Sequence, residues 1–129
     1  MDKVISACLI LVGLIHLVPV TGILGAVQIG KLYGIDASEP NLEILMRHRA
    51  VLFGLLGAFL IYAAWQPTLW NIAIVAGLIS VVSFIAIALS TGTYNAQIKG
   101  VVIADLIALA ALIICLILHL IWLGRLSAS

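Results

Sequence analysis

From Val4 to Gly30 the chain carries no Asp, Glu, Lys or Arg. Drawn out as one helix at about 1.5 Å per residue, that run would reach roughly 40 Å, more than the ~30 Å hydrocarbon core of a bilayer. Inside lipid every backbone N–H and C=O needs a partner within the protein, which a helix supplies to itself. Pro19 removes one donor, and Gly22 and Gly25 follow it. The first helix is therefore expected to kink or end near Pro19, with the remainder lying in the interface or re-entering the membrane.

The same economy of charge holds along the whole chain. Of 129 residues, 65% are hydrophobic and 9% charged, against roughly 25% charged in soluble domains. This composition is that of an integral membrane protein. A net charge of +1 leaves no basic patch able to neutralise a run of phosphates, so nucleic acid is excluded as a partner. The amino terminus, Met1-Asp2-Lys3 before the apolar run, lacks a small-residue cleavage site followed by a polar mature segment, and an uncleaved first helix is expected. Cys8 and Cys115 stand alone in apolar runs, outside any CxxC or Cys/His spacing. They fit small buried residues, with no zinc or thioredoxin-type site.

At about 20 apolar residues per crossing, the charges and turn signals divide the chain into four spans near 4–26, 41–65, 69–90 and 100–123. The expected fold is all-α, a four-transmembrane-helix bundle forming one domain over 1–129. Lys31 to Pro40 is the polar connection after the first span, with Ser38 or Glu39 as cap and Pro40 in the first turn of the next helix. Gln66-Pro67-Thr68 is a tight turn. An even number of crossings puts both termini and the Gln66 turn on one face, and the Lys31–Pro40 and Thr91–Lys99 connections on the other. Trp65, Trp70 and Trp122 then fall near the terminal face and Tyr33 and Tyr94 near the opposite one, as interfacial aromatic belts require. Lys3 and Arg125 on the terminal face against Lys31, Arg47, Arg49 and Lys99 on the other lean towards cytoplasmic connections.

The few polar residues inside the spans carry the functional reading. On the second span Arg47, Ala50, Gly54, Gly57, Ala58 and Ile61 share one side at helical spacing, and small residues in that pattern let membrane helices pack closely. Arg47 is thus expected to point into the bundle. Arg49, about 200° round at roughly 100° per residue, is expected to reach the headgroups or another subunit, and Phe53 to face lipid. Glu43, four residues before Arg47, can partly neutralise it. Asp105 lies about 9 Å along the fourth span from Lys99. A carboxylate at that depth is costly unless paired, protonated or wet, and Arg47 is its expected counter-ion. His16 reaches the same half of the membrane from the first span, whereas His119 belongs to the other half.

Each assignment has a plainer counterpart. Arg47 and Asp105 can be a structural ion pair that sets helix register. His16 can be a hydrogen-bonded helix contact instead of a proton carrier. His48 and Arg49 fit interfacial snorkelling better than catalysis. Ser80, Ser83 and Ser90, with Ala73, Ala76 and Gly77, form a small-residue stripe that fits helix packing. A haem held between His16 and His119 is disfavoured, because their depths differ by well over ~10 Å at about 1.5 Å per residue.

The runs Gly13-Leu-Ile-His16-Leu-Val-Pro19 and Leu32-Tyr-Gly34, and above all Leu45-Met-Arg47-His-Arg-Ala-Val-Leu-Phe-Gly54-Leu-Leu-Gly57, resemble the small bacterial four-helix membrane proteins of the DoxX-like kind. The likeness covers mainly the first two spans. It implies a four-helix bundle in a bacterial inner membrane with an arginine at the head of the second helix, a place filled here by Arg47. Some members of that group are associated with oxidoreductase systems using sulfur compounds or quinones, but no cofactor motif here matches and no cofactor is assigned. The membrane glutathione-transferase pattern Arg-x-x-Asn-x-x-Glu is absent, since Ala50 and Phe53 occupy the positions after Arg47. The membrane glutamate that small multidrug exporters carry in their first helix is absent too.

These features support a module that binds or transports a small anionic or amphipathic ligand at Arg47, Asp105 and His16, with Glu43, His48 and Arg49 nearby and membrane lipid around it. No metal site is expected. The alternatives are a membrane enzyme or redox accessory subunit acting on a quinone or lipid, and a structural subunit of a homo-oligomer or larger membrane complex. No nucleophile–base pair or haem-attachment signature stands behind the enzyme alternative.

Overall fold

A computed structural model describes all residues, 1–129. The chain forms helix α1 (Asp2–Leu17), a 3-10 segment (Val18–Leu24), α2 (Ala26–Tyr33), α3 (Pro40–Ala63), a single 3-10 turn (Pro67–Leu69), α4 (Trp70–Thr91) and α5 (Ala96–Ser127). It contains no strand, and four of its helical stretches are long and apolar enough to cross a membrane. The protein is a multi-pass membrane protein built as an all-α four-span bundle.

The first α-helix ends just before Pro19, and the span continues to Leu24. Regular α-helix stops at Leu17 and continues as a tighter 3-10 segment to Leu24. Gly25 then breaks the chain at φ +121°, a region that an L side chain rarely adopts. The short α2 that follows does not drift off into lipid. Its buried Ile29 and Tyr33, with Ala37 behind them, pack on Leu42 and Met46 of α3 and on Ile98 and Val101 of α5. Asn95 fastens this corner: its amide donates to the Tyr33 and Gly34 carbonyls at 2.8 and 3.1 Å, and its carbonyl accepts from the Ile98 N–H at 2.8 Å as the cap of α5. Glu39 caps α3, accepting from the Asn41 and Leu42 N–H groups at 3.0 and 2.8 Å. Pro40 takes the first helical position, where its missing donor costs nothing.

The main core lies in the terminal half, where Leu9, Leu60, Trp70, Ile74, Leu112 and their neighbours are buried. One close helix contact is between two glycines. A Cβ on Gly57 would stand 2.8 Å from the Gly13 carbonyl oxygen, and a Cβ on Gly13 2.8 Å from that of Gly57. Only hydrogen fits at either place, so α1 and α3 touch backbone to backbone. Met1, Asp2 and Lys3 share a groove with Trp122, Arg125 and Leu126, which puts the two termini together.

Phe53 departs from its expected place towards lipid. Its ring lies 5.6 Å from that of His16, stacked at 24°, inside the bundle. Gly54 and Gly57 do meet α1 and the 3-10 segment, so α3 has neighbours on two sides. A helical wheel of α3 alone shows one small-residue face and is silent about the second neighbour.

Candidate functional site

The connection-side half of the bundle encloses a cavity of about 290 Å³. Its rim includes Val18, Gln97 and Gly100, which are exposed, and its deeper wall includes His16 and Asp105, which are 1% and 7% exposed. Four helices contribute: His16 comes from α1, Tyr33 from α2, Arg49 and Phe53 from α3, and Asp105 from α5.

Arg49, not Arg47, faces this cavity. The Arg49 guanidinium donates to the Tyr33 hydroxyl at 2.6 Å. It sits 4.4 Å from the Phe53 ring centre, 5.1 Å from that of Tyr33 and 5.7 Å from that of Phe84. Aromatic faces attract a cation at these distances and shield it from lipid while leaving other N–H groups free. Arg47 points the other way. Its side chain is 51% exposed, its Nε donates to the Ile23 carbonyl at 2.9 Å, and its Nη1 lies 3.6 Å from Glu43. That carbonyl is in the last turn of the 3-10 segment, where the helix cannot satisfy it. Arg47 and Glu43 therefore hold the corner at Gly25, a structural task.

The expected Arg47–Asp105 pair is corrected accordingly. The physical reason is the 3-10 segment, which packs along α3 and occupies the side where Arg47 emerges. Arg49, about 200° round by helical pitch, turns to the gap enclosed by α1, α2 and α5. Arg47 with Glu43 is the only ion pair within 4.0 Å anywhere in the molecule. The Arg49 and Asp105 charges thus share the cavity without touching. His48 is exposed and has no side-chain partner, as a group reaching the interface would.

His16 is held at both ring nitrogens. Nδ1 lies 2.8 Å from the Val12 carbonyl and Nε2 2.9 Å from the Ser80 hydroxyl. A carbonyl only accepts, so Nδ1 carries the proton in the neutral ring and Nε2 accepts from Ser80. Ser80, read from sequence as a packing residue, is the partner that sets this arrangement from α4. The residues that sequence reasoning undervalued are Phe53, Tyr33 and Ser80. Tyr33 lay in the polar connection Lys31–Pro40 and read as an interfacial belt residue, and no periodicity connects it to Arg49. The signal available was the aromatic content around Arg49, since cations and aromatic rings are frequent companions in apolar surroundings.

Two other polar clusters lie outside the cavity. His119 packs at the terminal end, stacked on Trp122 at 5.9 Å and edge-on to Trp70 at 6.1 Å; its neighbours are distinct from those of His16, and no haem-like clamp joins the two histidines. Cys8 and Cys115 are both free thiols, with Cys115 Sγ 3.6 Å from the Ile5 carbonyl. No group of three or more His, Cys, Asp or Glu side chains converges as a metal ion would need.

Comparison of the chain with protein-family models, with curated proteins and with solved structures gives no match.

Proposed function

We propose that the protein binds a small amphipathic molecule, its anionic or acceptor end held by Arg49 and its apolar body lying along Ile15, Leu32, Phe53 and Val101. The observation that carries this reading is the guanidinium of Arg49, caged by aromatic rings on a cavity wall with no carboxylate within 4.0 Å. A cation placed in an apolar half-membrane at a cost of several kcal/mol is worth keeping where an anion comes to meet it. The cavity is at the lower end of the size range of small-molecule sites, roughly 300–1,000 Å³. Its apolar walls with few convergent polar groups match that kind of site as well.

The setting we propose is a bacterial inner membrane, in keeping with the DoxX-like resemblance, with the connections cytoplasmic. With Arg49 turned into the cavity, Lys31, Arg47 and Lys99 on the connection face still outnumber Lys3 and Arg125 at the termini.

Calorimetric titration of the purified protein in nanodiscs with benzoate, hexanoate and octanoate tests the reading. At least one should bind with a Kd below about 1 mM, the affinity that ~4 kcal/mol supplies. Arg49→Ala should weaken it tenfold or more, and Arg47→Ala less than twofold. Gly100→Leu serves as a second variant: a Cβ at Gly100 meets nothing within 4 Å, so the leucine should narrow the cavity without disturbing the fold. Binding of none of the three acids, or equal binding by wild type and Arg49→Ala, overturns the reading.

A further inference from the structure

Asp105 is 7% exposed, lines the cavity from α5, and accepts no hydrogen bond from any protein group. A carboxyl this little exposed, its oxygens facing only the cavity, is best served by a donor there. None of the donors that share the cavity with it, Gln97 included, makes a hydrogen bond to it. The one N–H of neutral His16 goes to Val12, and Ser80 is engaged with the second ring nitrogen. The Arg49 guanidinium, directed to Tyr33 at 2.6 Å, stays more than 4.0 Å away. Tyr33 accepts that bond and makes none to Asp105. On α4, Phe84 brings only a ring.

The cavity is the open approach to Asp105, and its α3 wall carries a cation with no carboxylate within 4.0 Å. We infer that the ligand is bifunctional, an apolar molecule with a carboxylate for Arg49 and, across its body, a hydroxyl or ammonium donor for Asp105. The inference rests on the proposed binding reading and narrows it from amphipathic anions at large to hydroxy acids and amino acids of compact shape. Charge gives the same result. Arg49 and an ionised Asp105 sum to zero, and a plain monoanion would leave the pocket with one uncompensated negative charge in a low-dielectric setting, which is expensive. A hydroxy acid offsets part of that through its donor, and a zwitterion removes it. Sites built to bond a ligand's polar group reject analogues that lack it far more strongly than apolar pockets discriminate by size, because the unfilled partner is left buried and bare.

The test compares benzoate with 3-hydroxybenzoate, 4-hydroxybenzoate, 3-(aminomethyl)benzoate and 4-(aminomethyl)benzoate, by calorimetry on the whole protein in nanodiscs. At least one substituted acid should bind tenfold or more tighter than benzoate, and the hydroxyl and aminomethyl arms tell which donor Asp105 prefers. In Asp105→Leu, which removes the acceptor and the unpaired buried charge together, that preference should fall below twofold while benzoate binds at least as well as to wild type. If benzoate and all four analogues bind alike, the inference is wrong and Asp105 is satisfied by water, although the binding reading stands. A preference that survives in Asp105→Leu also overturns it. If no acid in the series binds at all, both the inference and the binding reading fall. Should Asp105→Leu fail to fold, Asp105→Asn keeps the question open to decision: its amide both donates and accepts, so the ammonium preference should drop at least tenfold.

Discussion

The Arg49 guanidinium donates to the Tyr33 hydroxyl at 2.6 Å, joining α3 to α2 across sixteen residues of chain. The link matters because Tyr33 is itself held at its backbone by Asn95, so three elements meet at one residue. The other arginine of the pair, Arg47, bonds only to the end of the 3-10 segment and to Glu43 on its own helix.

The two arginines should therefore separate in a stability assay. Tyr33→Phe keeps the ring under Arg49 and removes a hydrogen bond to a charged group, worth about 1.5–3 kcal/mol when both partners are shielded. Arg49→Ala, which gives up the same bond together with the cation–ring contacts, should cost at least as much. Arg47→Ala should cost less, about 1 kcal/mol, since its bond to the Ile23 carbonyl is exposed and its ion pair with Glu43 is partly so. Thermal unfolding in one detergent would show the ordering. A larger loss for Arg47→Ala than for Arg49→Ala would put the inward face of α3 on the wrong side.

Alanine at two glycines should give opposite signs. At Gly57 the new methyl would stand 2.8 Å from the Gly13 carbonyl and 3.0 Å from Leu17. The backbone oxygen cannot swing aside, so α1 and α3 must part, with an overpacking penalty of about 1–3 kcal/mol. At Gly100, in the first turns of α5, the methyl meets nothing within 4 Å, and replacing a helical glycine by alanine stabilises by roughly 0.5–1 kcal/mol. A melting-temperature comparison of the two single variants checks the pair of signs. Destabilisation at both would mean that Gly100 is needed for itself.

Acid should loosen the start of α3. Glu39 accepts the Asn41 and Leu42 N–H groups, and these bonds hold its carboxyl below the usual glutamate range. A carboxyl lowered in the folded state adds stability that is complete above the unfolded value, near 4.3, and is lost as pH falls through the folded one. Because Glu39 is fully exposed, the loss should be local. Amide exchange at Asn41 and Leu42 should speed up relative to the middle of α3 as pH drops below about 4, after correction for intrinsic rates. Glu39→Gln should flatten that dependence, and an unchanged acid response in the variant would show that another group is responsible.

Much of the architecture follows from the sequence alone, because its causes are local. The uncharged lengths dictate how many helices cross, and Pro19 with Gly25 ends the first of them. Glu39 marks the start of α3 through bonds to residues two and three positions on, with Pro40 in the first turn. Depth is legible too, since a constant rise per residue puts His16 and Asp105 in the same half of the membrane and His119 in the other. Rotation about a helix axis is different. The small-residue face of α3 was visible in the spacing of Gly54 and Gly57, but which of the two nearby arginines turns inward depends on what lies beyond each side. Arg47 emerges against the 3-10 segment and Arg49 against a cavity bounded by Tyr33, His16 and Asp105. Those neighbours come from α1, α2 and α5, separated from Arg49 by up to 56 positions in the chain. No local pattern encodes their arrival, so only the tertiary structure decided which cation faces the cavity.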